Sequence, residues 1–277
     1  MQNSPQSESW GGLTWSNWLP LDAGIREYQR VIRRDAGFYR VRIPGLEELV
    51  YVGQTGRNLR ERVRALARGV YRGDDDPPWN DPHTAAPLLW AYRREDGLSF
   101  EVSVAYQIVN KPVRECWEDM LLYAHRCEFG RSTLCNHGLE HQRWTRPSNK
   151  KAGRPSTRRS IAVDFPSLAP PTGSANCTSI AWLGLSWSDP VMLRAAAPPA
   201  VAGVYRLLST DGMVTYVGES MSLKSRLSTH RRKPAFADSL VSWSEMVNAP
   251  KHQLHEREAD LVGAFYKKYG HPPLHQY

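Results

Sequence analysis

Short runs of alternating apolar residues, each interrupted by glycine, mark the stretch GFYRVRIPGLEELVYVGQTGRNLRERV at residues 37–63. Gly37 to Ile43 and Glu48 to Gly53 read as two strands, with Pro44 and Gly45 as turn material between them. Asn58 can cap a helix, and the apolar positions Leu59, Val63 and Leu66 then follow helical spacing. Ser99 to Ile108 alternates and is rich in Val, which predicts a third strand. After Pro112 a helix is predicted through Trp117, Leu121 and Leu122 as far as the Gly130 region.

The same series returns later in the chain. From residue 184 the sequence repeats a Trp-containing lead-in, a Gly-x-Tyr strand, a turn, a Tyr-Val-Gly strand and a helix containing Leu-x-x-Arg. Strands near 203–208, 213–218 and 239–244 bracket a helix at 222–231, and a closing helix spans 252–269. A repeat this long, occurring only twice, predicts tandem domains rather than a solenoid. The expected boundaries are 10–142 and 177–277, joined by a Pro- and Ser-rich linker at 143–176.

Charge sharpens this division. The chain carries a formal +8, and residues 143–160 alone hold seven Lys or Arg and no acid. A basic linker between nearly balanced domains implies a polyanionic partner. The N-terminus MQNSPQSESW has neither a basic start nor an apolar run, and no segment approaches the roughly 18 apolar residues of a membrane span. Four cysteines in this length make no disulfide framework. The expectation is a cytoplasmic protein with no membrane association.

The ordered series Gly-Phe-Tyr, Tyr-Val-Gly, Asn-Leu-x-x-Arg, a Glu-led helix and a terminal Asn resembles the GIY-YIG nuclease superfamily in both halves. That resemblance implies an α+β protein with two GIY-YIG-like domains, each a small three-stranded antiparallel sheet flanked by helices. In the first copy it points to Tyr39, Tyr51 and Arg62, to Glu118 followed by Leu121 and Leu122, and to Asn136 at the end. His83 stands, more loosely, where homing-type members carry a histidine before the third strand. In the second copy the matching residues are Tyr205, Tyr216, Arg226, His230 and Glu258, with His275 where Asn is usual.

Both copies depart from the pattern. Leu66 occupies a position where the family often has His or Tyr, and Glu219 follows the second Tyr-Val-Gly where some members have Lys. These departures make the first copy the stronger active-site candidate and the second a divergent one. Glu115 and Glu256 compete with Glu118 and Glu258, which are preferred for the apolar pairs that follow them.

The implied chemistry is phosphodiester hydrolysis on double-stranded DNA with no small-molecule cofactor. Glu118 and Glu258 each suit a hard cation, Mg²⁺ or Mn²⁺. Arg62 would grip the phosphate, and Tyr39 would take or relay a proton from the attacking water while Tyr51 orients it. Arg57, Arg60 and Arg64, the linker residues Lys150, Lys151, Arg154, Arg158 and Arg159, and Arg231 with Arg232 are expected along the DNA. Restriction or anti-phage defence is the expected role. The rivals are a structure-specific repair or recombination nuclease, and a nuclease-derived nucleic-acid-binding protein with one or both sites inactive.

Three further features have plainer readings. KKAGRPSTRR resembles the Gly-Arg-Pro core of an AT-hook, but a flexible phosphate binder is favoured. His125, Cys127, Cys135 and His137 are zinc-ligand types, yet 125 and 127 diverge on a helix, which favours buried cysteines. Trp10, Trp15 and Trp18, with Trp182 and Trp187 in the second copy, are expected to close each domain as a packed flap rather than to stack bases.

Overall fold

The computed structural model describes residues 4–81, 83–145, 157–158 and 167–277. The chain is α+β and divides into two compact units, Met1–Asn110 with Ser132–Pro166 and Lys111–Arg131 with Ser167–Tyr277. Among the described residues no helix is long and apolar enough to cross a membrane.

In the first unit β1 (Ser9–Trp10) and β2 (Leu13–Thr14) form a short hairpin. The main sheet contains β3 (Leu19–Pro20), β4 (Gly37–Arg42), β5 (Leu49–Thr55) and β6 (Glu101–Tyr106), in the order β3-β6-β4-β5 and antiparallel throughout. Helix α1 (Gly24–Val31) precedes β4, α2 (Leu59–Val70) follows β5, and α3 (Ala86–Asp96) precedes β6. A separate pair, β7 (Trp144–Thr145) and β8 (Thr157–Arg158), lies outside the main sheet. Three strands were expected and four are found. The added β3 has only two residues, too few to show alternation, and its Pro20 stands on a sheet edge where a missing N–H is tolerated.

Local chemistry accounts for the helix after β5. The Asn58 side chain accepts the Glu61 N–H at 3.2 Å, a cap that contributes about 1 kcal/mol. Leu59, Val63, Leu66 and Val70 then form one fully buried stripe against Tyr39, Val41 and Tyr51 of the sheet.

The second unit starts with α4 (Lys111–Phe129) and continues with β9 (Val191–Met192), β10 (Gly203–Leu208), β11 (Val214–Ser220), α5 (Leu223–His230), β12 (Leu240–Glu245) and α6 (Lys251–Tyr269). Its antiparallel sheet has the order β11-β10-β12-β9. Helix α4, read from the sequence as part of the first domain, packs along α6 here. Gly263 permits that approach, since a Cβ there would lie 2.4 Å from the Asp119 carbonyl oxygen. Arg126 of α4 is fully buried and pairs with Asp260 at 2.9 Å and Glu256 at 3.6 Å on α6.

The two sheets share a register. Tyr39 faces Gly53 and Val41 faces Tyr51, and then a bulge skips Val50 so that Arg42 faces Leu49. In the second unit Tyr205 faces Gly218 and Leu207 faces Tyr216, and a bulge skips Thr215 so that Leu208 faces Val214. The backbone groups left on each outer strand are satisfied in the same way. Cys135 N–H donates to the Val50 carbonyl at 2.7 Å, and His275 N–H donates to the Thr215 carbonyl at 2.8 Å.

Each sheet also carries a buried arginine that fastens the tryptophan-containing lead-in. The Arg40 guanidinium lies 4.4 Å from the Trp15 ring centre, and the Trp15 indole N–H donates to the Trp10 carbonyl at 3.0 Å. Arg206 lies 4.4 Å from Trp187, whose indole donates to the Trp182 carbonyl at 3.1 Å. Backbone carbonyls complete both arginine sites, those of Pro5 and Ser7 around Arg40 and that of Cys177 against Arg206. Burial lowers the two guanidinium pKa values to about 9 and about 10. The buried tryptophans are therefore packed, as the flap reading expects.

Candidate active site

Alternation along a strand puts Tyr39, Val41, Tyr51 and Gly53 on one face of the first sheet. The Tyr39 and Tyr51 rings lie 5.8 Å apart. Gly53 makes this possible, because a Cβ there would sit 2.5 Å from the Tyr39 hydroxyl. Gly218 stands in the same relation to Tyr205, again at 2.5 Å, and the Tyr205 and Tyr216 rings are 5.9 Å apart.

A histidine closes each pair. The Tyr39 hydroxyl lies 2.6 Å from His83 Nε2, and the His83 ring is 5.4 Å from that of Tyr51. His83 precedes α3, where its N–H donates to Asp81 at 2.7 Å. Its Nδ1 accepts the Ala85 N–H at 3.3 Å, so the neutral ring carries its proton on Nε2 and donates to the tyrosine. Burial, helped by the Arg62 charge, lowers the His83 pKa to about 3 and keeps the ring neutral. Arg62 Nε donates to the same hydroxyl oxygen at 3.2 Å.

In the second unit His230, from α5, lies 2.7 Å from the Tyr205 hydroxyl and 5.2 Å ring to ring from Tyr216. Burial, with Lys233 and Arg226 nearby, lowers its pKa to about 4. The Tyr205 hydroxyl is pushed well up, chiefly by burial and then by Tyr216, while Arg226 opposes the shift. Glu258 acts on both tyrosines as well, so all five groups share one electrostatic environment. Burial raises Glu258 to about 8, and the carboxylates of Asp119 and Glu219 add to that shift.

The amide closing each site is placed more sharply than its sequence position implied. Asn136 brackets Val52, accepting its N–H at 3.0 Å and donating to its carbonyl at 2.9 Å. Gln276, not His275, does this in the second unit, bracketing Val217 at 2.9 and 2.8 Å. His275 instead matches Cys135, supplying the backbone N–H that meets the bulge. Reading Leu-Cys-Asn against Leu-His-Gln would have found the amide.

The competing acids also separate. Glu256 is fully buried and accepts from Ser167 Oγ at 2.9 Å and the Leu168 N–H at 2.8 Å, which commits it to the fold and leaves Glu258 as the site carboxylate. Glu115 pairs with Lys111 at 3.7 Å, and Glu118 is half-buried on α4 in the second unit. Within a single unit, the second is thus the one that gathers two tyrosines, an arginine, a histidine, an amide and a carboxylate.

The arginines expected along DNA divide. Arg57 and Arg232 are exposed. Arg60 is half-buried and donates to the Ile32 carbonyl at 2.6 Å and the Gln29 carbonyl at 3.1 Å, tying the end of α1. Arg64 lies 3.8 Å from Glu61, and Arg231 Nε donates to the Leu193 carbonyl at 2.9 Å. Lys150, Lys151, Arg154 and Arg159 lie outside the described residues, and Arg158 is described only as backbone of β8. Of the zinc-ligand types, Cys135 is buried in the first core and Cys127 is exposed. Among the described residues the group able to hold a metal is a different one, Glu219, His255 and Glu258.

Comparison of the chain with protein-family models, with curated proteins and with solved structures finds no match.

Proposed function

We propose that the chain is a divalent-metal-dependent DNA endonuclease built from two tandem GIY-YIG-type domains. The observation that carries this reading is the tyrosine–histidine contact, 2.6 Å in one unit and 2.7 Å in the other, made at the same sheet position by histidines from different elements. A packing role for the tyrosines would not require both hydroxyls to meet an imidazole.

In the first unit the Tyr39 oxygen receives two N–H donors, His83 Nε2 and Arg62 Nε. Donors so arranged stabilise that oxygen once its own proton leaves, which suits a group that accepts or relays a proton from water. Tyr51, beside it, orients the water. The forked guanidinium of Arg62 has further donors for a phosphate oxygen. In the second unit Tyr205, Tyr216, Arg226 and His230 take these roles.

Glu258 would hold the cation in the second unit, where its carboxylate gathers with Glu219 and His255. When bound, the metal supplies positive charge to the phosphoryl oxygens. Supercoiled plasmid incubated with Mg²⁺ tests the proposal. Cleavage by wild type and its loss in Tyr39→Phe/Tyr205→Phe support it; a wild-type chain that cuts no DNA overturns it.

A further inference from the structure

Three ligand-type side chains converge in the second unit apart from the tyrosines and histidine discussed above. Glu219 follows Gly218 near the end of β11, while His255 and Glu258 lie three residues apart on one face of α6. One ligand atom from each falls within 4.8 Å of the others, and His255 Nδ1 is 3.9 Å from Glu219 Oε1. Among the described residues no Lys or Arg nitrogen lies within 4.0 Å of either carboxylate, and the Asp119 carboxyl and the Arg226 guanidinium share the neighbourhood. A cation bound among the three would draw these ligand atoms together.

We propose that Glu219, His255 and Glu258 form a three-ligand site for a first-row transition dication of the Mn²⁺ type. This deepens the proposed function, on which it rests, by naming the class of metal that the second site takes. Ligand atoms at about 2.1 Å from one ion are no more than about 4.2 Å apart, so the set has to contract by only about half an ångström. Two carboxylates alone would suit Mg²⁺, which keeps its waters and prefers oxygen. An imidazole nitrogen in the set shifts the preference toward the transition series. Three protein ligands leave positions open for water or a phosphate oxygen. Glu219 follows the second Tyr-Val-Gly, where an acid would repel a phosphate; as a metal ligand it serves to attract one.

The full chain, stripped with chelator and free of nucleic acid, is titrated with Mn²⁺ while the paramagnetic resonance signal of the free hexaaqua ion is followed. Wild type, Glu219→Gln, His255→Gln and Glu258→Gln are compared after circular dichroism has established that each is folded. The expected result is loss of affinity of about tenfold or more in each variant, with ¹⁴N coupling to bound Mn²⁺ present in wild type and absent in His255→Gln. Wild-type Mn²⁺ affinity in His255→Gln, or no ¹⁴N coupling in wild type, overturns the site. A chain that binds Mn²⁺ with these losses yet cuts no DNA upholds the site and removes the nuclease reading. One that cuts with Mg²⁺ but shows no His255-dependent Mn²⁺ binding does the reverse.

Discussion

The hydroxyl of Tyr39 meets Nε2 of His83 at 2.6 Å, although the two residues are 44 positions apart. The corresponding histidine in the second unit, His230, is 25 positions from its tyrosine and arrives on the helix after β11. If the contact serves proton transfer, its source should be exchangeable. Tyr39→Phe and His83→Ala, each made in a Tyr205→Phe background, should lower plasmid cleavage by about 10²–10⁴-fold. Leu66 stands four residues after Arg62, as His230 stands after Arg226. His83→Ala/Leu66→His in that background should therefore recover part of the lost rate, and recovery no better than His83→Ala alone would argue against a shared role.

Gly53→Ala tests the close approach beneath the tyrosine. The new methyl would meet the Tyr39 hydroxyl at 2.5 Å and the Tyr51 ring at 2.7 Å, and neither neighbour is a loose surface chain. Overpacking of this kind costs about 1–3 kcal/mol, so a clear fall in melting temperature is expected together with lost activity. Gly45→Ala meets no atom within 4 Å but occupies a φ of +83°, so any destabilisation there should come without loss of activity in the surviving folded protein.

Gln276→Ala should destabilise the second unit. It removes both hydrogen bonds to Val217 and leaves a buried N–H and C=O without their partner, a cost of about 1–3 kcal/mol. Urea unfolding measures this directly. His275→Ala leaves the backbone N–H to Thr215 in place and should cost less. Equal losses in the two variants would count against the assignment of the amide.

Acid stability carries the mark of His83. Its folded pKa of about 3 lies below the ordinary 6.5, because burial and Arg62 disfavour the charged ring. Between those values the unfolded chain binds a proton that the folded chain does not. The stabilisation is thus complete above about pH 6.5 and fades as pH falls toward 3, by up to about 1.4 kcal/mol per pH unit. Unfolding free energies for wild type and His83→Gln between pH 7.5 and 4 should converge as acid is added, and parallel curves would contradict the shift.

Much of each sheet was legible because the information is local. Strands expected at 37–43 and 48–53 are found at Gly37–Arg42 and Leu49–Thr55, and the Asn58 cap stands where Leu59, Val63 and Leu66 require it. Helices α1 and α3 were not foreseen. In α3, Ala86 through Ala91 are all buried, so no polar face interrupts the apolar run to reveal a helical period. The pairing of α4 with α6 depends on contacts such as Gly263 against Asp119, which sequence proximity cannot disclose. The Glu219–His255–Glu258 group was hidden for the same reason, since the turn of the chain between β11 and α6 is what brings Glu219 to the helix.

Arg126 finally bears on how this polypeptide could be dissected. A cut made in the basic linker, the obvious place on composition, would strip α4 from a fragment spanning 167–277. Asp260 and Glu256 would then lose the Arg126 guanidinium, with Arg257, 3.5 Å from Asp260, the cation that remains, and the face of α6 that packs on α4 at Gly263 would be bared to water. The second half of the chain is therefore not a portable module by itself: expressed alone it needs the 111–131 segment restored, by co-expression or by circular permutation.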